Sequence, residues 1–267
     1  LCTEGYEFSN AEREGDKIAI ISMSDSTGWE QALVLGKPYS EKELLEKFVQ
    51  VLIGRDPDVI EGHNIFRFDL PYIEERARRH KVRLNLGRDG SLMDKRPSRI
   101  SIAERQVNYS RYEIYGRHVI DTYYLTMLYD VSHRDLEDYG LKSLAVHFGI
   151  ASRDRTYIDG GGISDTFKKD PDLVVKYALD DVRETRALSA ILSPSYFYQT
   201  QLIPYSYQSC AVRGNATRID AMLVAAYLDS GTAVSAPEGT RAFVGALTEA
   251  FHAGVFKGVW HCDVRSL

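Results

Sequence analysis

Cysteine is scarce: Cys2, Cys210 and Cys262 are scattered through 267 residues. None belongs to a Cys-x-x-Cys pair, which argues against a disulfide framework or a zinc site and points to a reducing cytosol. Long apolar runs are missing as well. Nothing approaches the ~20 residues that cross a bilayer, and no basic-then-apolar leader opens the chain, so no membrane partner is expected. A basic excess is also lacking, since the net charge is −5. That removes the simplest sign of a nucleic-acid partner without excluding one. Enzymes that cut or join phosphodiesters hold divalent metals on carboxylates, and those acids lower the total. There is no internal repeat, no low-complexity tract and no initiator methionine. With Leu1 first and "HCDVRSL" last, both ends read as cuts.

What is present is ordinary for a globular chain, with 44% apolar and 27% charged residues. The length suits one large domain, or one domain plus part of another. "DKIAIISM" (16–23) and "QALVLG" (31–36) read as strands. Ser40 with Glu43 forms a capping box ahead of a helix whose apolar face is Leu45, Phe48, Val49 and Leu52. "DVIEGHN" (58–64) reads as a short buried strand and "LPYIEERARRH" (70–80) as a helix. "SRISIAE" (98–104) and "RYEIYG" (111–116) read as a hairpin. "RHVIDTYYLTML" (117–128) begins as a strand and turns helical. "LKSLAVHFG" (141–149) is a short helix, and "DGGGISD" (159–165) reads as a flexible loop. Asp170 caps a long helix from Pro171 to Leu192. The texture changes after Pro194, where a helix near 215–230 and two short strands are expected. The domain boundary is placed near 193. Strands mixed with helices argue for an α/β layer fold.

Two carboxylates stand out. Asp69 follows "EGHNIFRF" at a strand-to-helix crossover, the end of an α/β sheet where ligands bind. Two roles stay open for it: a cap on the first helical turn, or a metal ligand. Asn64 could bond a sugar or phosphate oxygen, and one of Phe66 and Phe68 could stack on a base. His63 reads as a structural or rim residue. On the long helix, Tyr177 and Asp181 lie one turn apart, and the apolar line Val174, Ala178, Val182 is assigned to a different face. A tyrosine can orient water, and a nearby carboxylate can hold a metal that activates it. The basic stretch "RARRHKVR" (76–83), with Lys95, Arg96, Arg99 and Arg105, suits either a solvated helix end or a phosphate contact.

These pieces together resemble a family. "NIFRFD" (64–69) is similar to the second exonuclease motif of the family B DNA polymerases, and "YALDD" (177–181) to the third, Tyr-x-x-x-Asp. "LCTEGYEF" resembles the residues that follow the Asp-Ile-Glu of the first motif in archaeal-type enzymes. "DPDVIEGHN" and "YGLKSLAVHFGI" resemble flanking segments in the expected order. "FVGALTE" (243–249) is similar to the linker between exonuclease and polymerase parts, with Phe243 where tyrosine is usual and Gly245 in its glycine position. "WHCDVRSL" (260–267) resembles the front half of polymerase motif A. The acidic pair of the first motif is not in the sequence.

The resemblance implies a ribonuclease-H-like α/β exonuclease domain over 1–192, with a mixed sheet and flanking helices. Residues 193–267 would be a linker and the beginning of a polymerase domain. It implies a DNA-directed DNA polymerase that proofreads by hydrolysing the 3'-terminal phosphodiester with two divalent metals, Mg²⁺ or Mn²⁺, about 4 Å apart. By the same resemblance, Asp69 and Asp181 are metal ligands and Tyr177 orients the attacking water. Asn64 and Phe68, with Phe243 and Gly245, contact DNA, and Asp263 is a metal ligand of the polymerase site. The implied partner is DNA, as a single-stranded 3' end or a primer-template. Without the first acidic pair, the 267 residues are expected to bind metal weakly, to show little or no nuclease activity, and to self-associate through exposed sheet edges. Glu4 is a poor stand-in for a missing acid. A stand-alone ribonuclease-H-like exonuclease remains open as an alternative, and so does a nucleic-acid-binding module that kept the fold and lost catalysis.

Overall fold

The computed structural model describes all residues except 4, 5, 7, 37, 103, 104, 237–251 and 261–267. It divides into two compact units, Leu1–Thr232 and Ala233–Leu267. In the second unit, the described residues form neither helix nor strand.

In the first unit, β1 (Ile20–Ser24) and β2 (Glu30–Val34) pair antiparallel, with Ile20 opposite Val34. Helix α1 (Glu41–Arg55) follows. The Ser40 side chain accepts the Glu43 N–H while the Glu43 carboxylate accepts the Ser40 N–H, so the capping box read from the sequence is in place. Leu45, Phe48, Val49 and Leu52 are buried, as their spacing requires. Strand β3 (Val59–Gly62) is only half-buried rather than the buried strand expected. It leads into α2 (Asp69–His80).

The hairpin is longer than the sequence suggests. β4 (Asp94–Ile102) and β5 (Arg105–Glu113) pair over nine positions, from Asp94 opposite Glu113 to Ile102 opposite Arg105. Next, β6 (His118–Asp121) turns directly into α3 (Thr122–His133), the strand-to-helix change expected there. β6 runs parallel to β3. Val119 packs in one apolar cluster with α1, α2 and the hairpin, whereas Ile120 packs in a second with Leu144, Leu188 and Tyr207. Neighbouring strand residues face opposite sides. The β3–β6 ladder therefore carries helices on both faces, the layered α/β arrangement the sequence implied. The strands form three two-stranded ladders rather than one continuous hydrogen-bonded sheet.

After α4 (Leu141–His147), the glycine run is not a loop. Gly160–Gly162 makes a 3₁₀ turn that feeds α5 (Ile163–Lys169). Helix α6 spans Pro171–Leu192, and the Asp170 side chain accepts the Leu173 N–H. Three helices follow: α7 (Pro194–Gln199), α8 (Tyr207–Cys210) and α9 (Asn215–Asp229). The two late strands expected from the sequence are not found among the described residues. Gln208 of α8 ties this region to the strands. Its amide oxygen accepts the Val119 N–H at 2.9 Å and its amide nitrogen donates to the Tyr112 carbonyl at 2.7 Å. One side chain thus bridges β5 and β6 where no backbone ladder joins them.

Candidate nuclease site

The turn from β3 to α2 is built around Asp121. At the end of β6, Asp121 is buried, and its carboxylate accepts the N–H of Asn64 at 2.8 Å, of Phe66 at 3.2 Å and of Tyr123 at 3.0 Å. The last bond caps α3. Asn64 sits at φ +64°, the left-handed region that asparagine tolerates better than most residues. Its carbonyl accepts the N–H of Phe68 at 2.9 Å, which closes the turn. Burial pushes the Asp121 carboxyl up to about 7, against the pull of its three N–H donors, and the nearby charge of Asp69 adds to the rise.

Asp69 is therefore delivered by a rigid turn, as the first residue of α2. It is not the cap: that position is Phe68, which makes no side-chain capping bond. Asp69 keeps a water-accessible face, yet protein atoms crowd around it so that its charge is poorly hydrated. This crowding, with a smaller push from the charge of Asp181, raises it to about 6. Asp181, far away in the chain, thus lies near enough for its charge to act on Asp69.

Asp181 is half-buried and also raised to about 6, chiefly by desolvation. Its Oδ1 accepts from Arg155 at 2.7 Å. The same guanidinium donates to Glu184 at 2.5 and 2.8 Å and to the Thr156 carbonyl at 2.7 Å. Tyr177 lies against two cations. The Lys142 Nζ is 4.8 Å from its ring centre and the Arg155 Cζ is 5.5 Å away, with the Tyr157 ring 4.8 Å from the same guanidinium. The neighbouring Asp180 faces elsewhere, accepting the Thr156 N–H at 3.0 Å. One sequence reading is corrected here. Tyr177 and Asp181 do not occupy a face apart from the packed one. The buried residues of α6 are Val174, Asp180, Glu184, Leu188, Ser189 and Leu192, and Tyr177 and Asp181 fall within the arc from Asp180 to Val174, half-buried just as Ala178 and Val182 are.

Phe66 is a core residue, packed on Tyr109 and Tyr124. Phe68 is exposed, tilted against Tyr72 at 5.5 Å. It lines an open groove of about 910 Å³ with Phe8, Tyr72, Arg67, Arg78 and Lys95. Of the basic stretch, Arg76 is buried on Glu41 and is no phosphate contact, whereas Arg78 pairs with Glu75 on the surface. His63 is structural, held between Thr122 and the Tyr139 carbonyl. Phe243, Gly245, Asp263 and Glu4 lie outside the described residues.

Asp121, Arg155, Glu184 and Lys142 were not singled out from the sequence. Only Asp121 carries a local sign, an acid at a strand-to-helix change.

The donor set fits a hard cation. Asp69 and Asp181 supply carboxylate oxygens, and the Asn64 Oδ1 is buried with no hydrogen-bond partner among the described residues. Mg²⁺ is held by one or two carboxylates together with substrate phosphates. Among the described residues there is no group of three or more His, Cys, Asp or Glu that could hold a metal ion. No helix among them is long and apolar enough to cross a membrane.

Layered helices about a parallel β3–β6 pair form an α/β domain consistent with the ribonuclease-H-like fold that the resemblance implied. Its architecture is similar to part of the family B DNA polymerase from the hyperthermophilic archaeon Pyrobaculum calidifontis. The two superpose with a TM-score of 0.69 over 86% of this chain and 28% of that one, at 23% identity. The sequence pattern of the DNA polymerase family B exonuclease domain matches residues 1–144, so the chain belongs to that family. Relatives include the DNA polymerase of Archaeoglobus fulgidus, 26% identical over all of this chain and 32% of that protein. Another is the DNA polymerase of Pyrococcus glycovorans, 28% identical over all of this chain and 34% of that protein. The chain thus spans about a third of the length of these relatives.

Proposed function

We propose that residues 1–192 are the 3'-to-5' proofreading exonuclease domain of a DNA-directed DNA polymerase, and that residues 193–267 lead from it into the polymerase domain. What supports the proposal is the family match over residues 1–144 together with Asp69 and Asp181, each raised to about 6, the charge of Asp181 being felt at Asp69. Acids pushed up by desolvation and by neighbouring negative charge gain most from a divalent cation. Asp69 and Asp181 would hold Mg²⁺ or Mn²⁺ jointly with the scissile phosphate. When bound, the metal lowers the pKa of a coordinated water and neutralises charge on the leaving 3'-oxygen. Tyr177 orients the attacking water from the next turn of α6. Asn64 and Phe68 hold the frayed 3' end. The groove beside Phe68 offers aromatic faces and Arg67 to a single strand, although Glu12, Glu74 and Glu75 line it too, with Glu75 paired to Arg78 and Glu74 to Lys95 there. In the same reading, Phe243 and Gly245 contact DNA and Asp263 belongs to the polymerase site.

A fluorescently labelled single-stranded oligonucleotide, titrated with the 267-residue chain with and without Mn²⁺, tests this. Binding should strengthen with Mn²⁺, and D69N/D181N should remove that gain. Equal binding with and without the ion would refute it. One observation favours a second reading, a binding module without catalysis: Arg155 already occupies an oxygen of Asp181. Stepwise shortening of the same oligonucleotide from the 3' end in Mn²⁺ would belong only to the nuclease, whereas a chain without the first acidic pair is expected to leave it intact under either reading.

A further inference from the structure

Arg155 is the least expected residue in the cleft. Its side chain is almost fully buried, and four of its hydrogen bonds are accounted for. Two go to Glu184, one to a backbone carbonyl and one to Asp181. Burying a guanidinium is costly unless acids and carbonyls surround it, and Glu184, itself buried, supplies the larger share. The remaining arm reaches an acid at the cleft. Tyr157 and Tyr177 wall the guanidinium, which limits its movement. Lys142 is the other cation acting on Asp181.

We propose that Arg155, anchored by Glu184, is a positioning residue that acts as the resident cation of Asp181. It holds the carboxylate through one arm when no divalent ion is present and competes with that ion when it arrives. The inference rests on the reading of Asp181 as a metal ligand. Glu184 sets the strength of the competition. Glu184 takes the Nε–H and one of the two Nη2–H groups, so Nη2 has a single N–H left for Asp181. A divalent ion can then displace that single bond without leaving Arg155 unpaired.

The two residues should therefore act on metal affinity with opposite signs. E184Q releases the guanidinium towards Asp181 and removes a nearby negative charge, so Mn²⁺ binding should weaken. R155M/E184Q removes the buried pair together, which avoids an orphaned charge. Its Mn²⁺ binding should tighten, by less than the roughly tenfold that loss of a lone cation at this range gives a neighbouring carboxylate, because the Glu184 charge goes with it. The experiment is Mn²⁺ titration of the 267-residue chain followed by electron paramagnetic resonance of the free ion, with thermal melts to confirm folding and D181N as reference. A purely structural role would move both variants the same way or neither, and either result overturns the inference. Absence of Mn²⁺ binding in both the parent and R155M/E184Q overturns it too. If D181N leaves the affinity of a binding parent unchanged, the metal-ligand reading fails. If D181N weakens binding while the other variants do not diverge, only the role of Arg155 fails.

Discussion

The Asp121 carboxylate accepts the backbone N–H of Asn64 at 2.8 Å, and through that bond the end of β6 fixes the turn that delivers Asp69. The same side chain caps α3 and accepts the Phe66 N–H. A residue with no proposed contact to DNA thus shapes the first half of the site. Asp121→Ala would orphan three backbone donors at once. The expected loss is about 3 kcal/mol, from the missing cap and the unsatisfied N–H groups. Urea unfolding measures it, and a loss under about 1 kcal/mol would show that water replaces the carboxylate. Asp121→Asn keeps one acceptor oxygen and should fall between.

Gln208 carries a second prediction. Its amide is buried and satisfies one group on β5 and one on β6. Gln208→Ala leaves the Val119 N–H and the Tyr112 carbonyl without a partner, a cost of about 2 kcal/mol or more. Hydrogen exchange at Val119 should accelerate relative to the amides of α1. If exchange at Val119 stays as slow as in the parent, the amide is not what joins the two strands.

Much of this architecture was legible from local chemistry. The Ser40–Glu43 box and the Asp170–Pro171 start mark helices that begin where expected, because capping depends on residues within one turn. The hairpin was underestimated because Lys95, Arg96 and Pro97 are exposed on β4, so no alternating apolar pattern announces its first half. The face of α6 was misread for a different reason. Glu184 is charged and was not counted in the apolar stripe, yet pairing with Arg155 lets it lie buried beside Leu188. An ion pair formed across a loop has no periodicity, so neither Arg155 nor the true orientation of Asp181 could be read from spacing. Asp69 and Asp181 were visible as motif residues, but the turn held by Asp121 and the crowding that raises both acids are products of the fold.

That crowding makes stability depend on pH in a definite direction. Asp69 and Asp181 rise from 3.8 to about 6 on folding, and Asp121 from 3.8 to about 7. A carboxyl whose pKa is raised by folding is bound more tightly by its proton in the folded state. Its contribution is complete below the unfolded value and is lost as pH climbs through the folded one. In metal-free buffer the melting temperature should therefore fall from about pH 4 to about pH 7, the interval between those values. Two other acids act oppositely. Asp16, held down to about 2 by the hydrogen bonds of Thr3, Asn10 and Arg13 against its own burial, loses its contribution as pH drops below 3.8. Glu75, held down to about 2 by Arg78 and Arg79, does the same below 4.5. The maximum should lie near pH 4 to 5, on the acid side of neutrality. D69N/D181N should flatten the fall above it, raising the melting temperature more at pH 8 than at pH 5. Mn²⁺ added at pH 8 should do the same for the parent, because a cation relieves the repulsion that protonation relieves at low pH. A melting temperature that rises steadily from pH 5 to pH 8, unaltered by D69N/D181N, would mean that the two acids are well hydrated and that the cleft does not press their charges together.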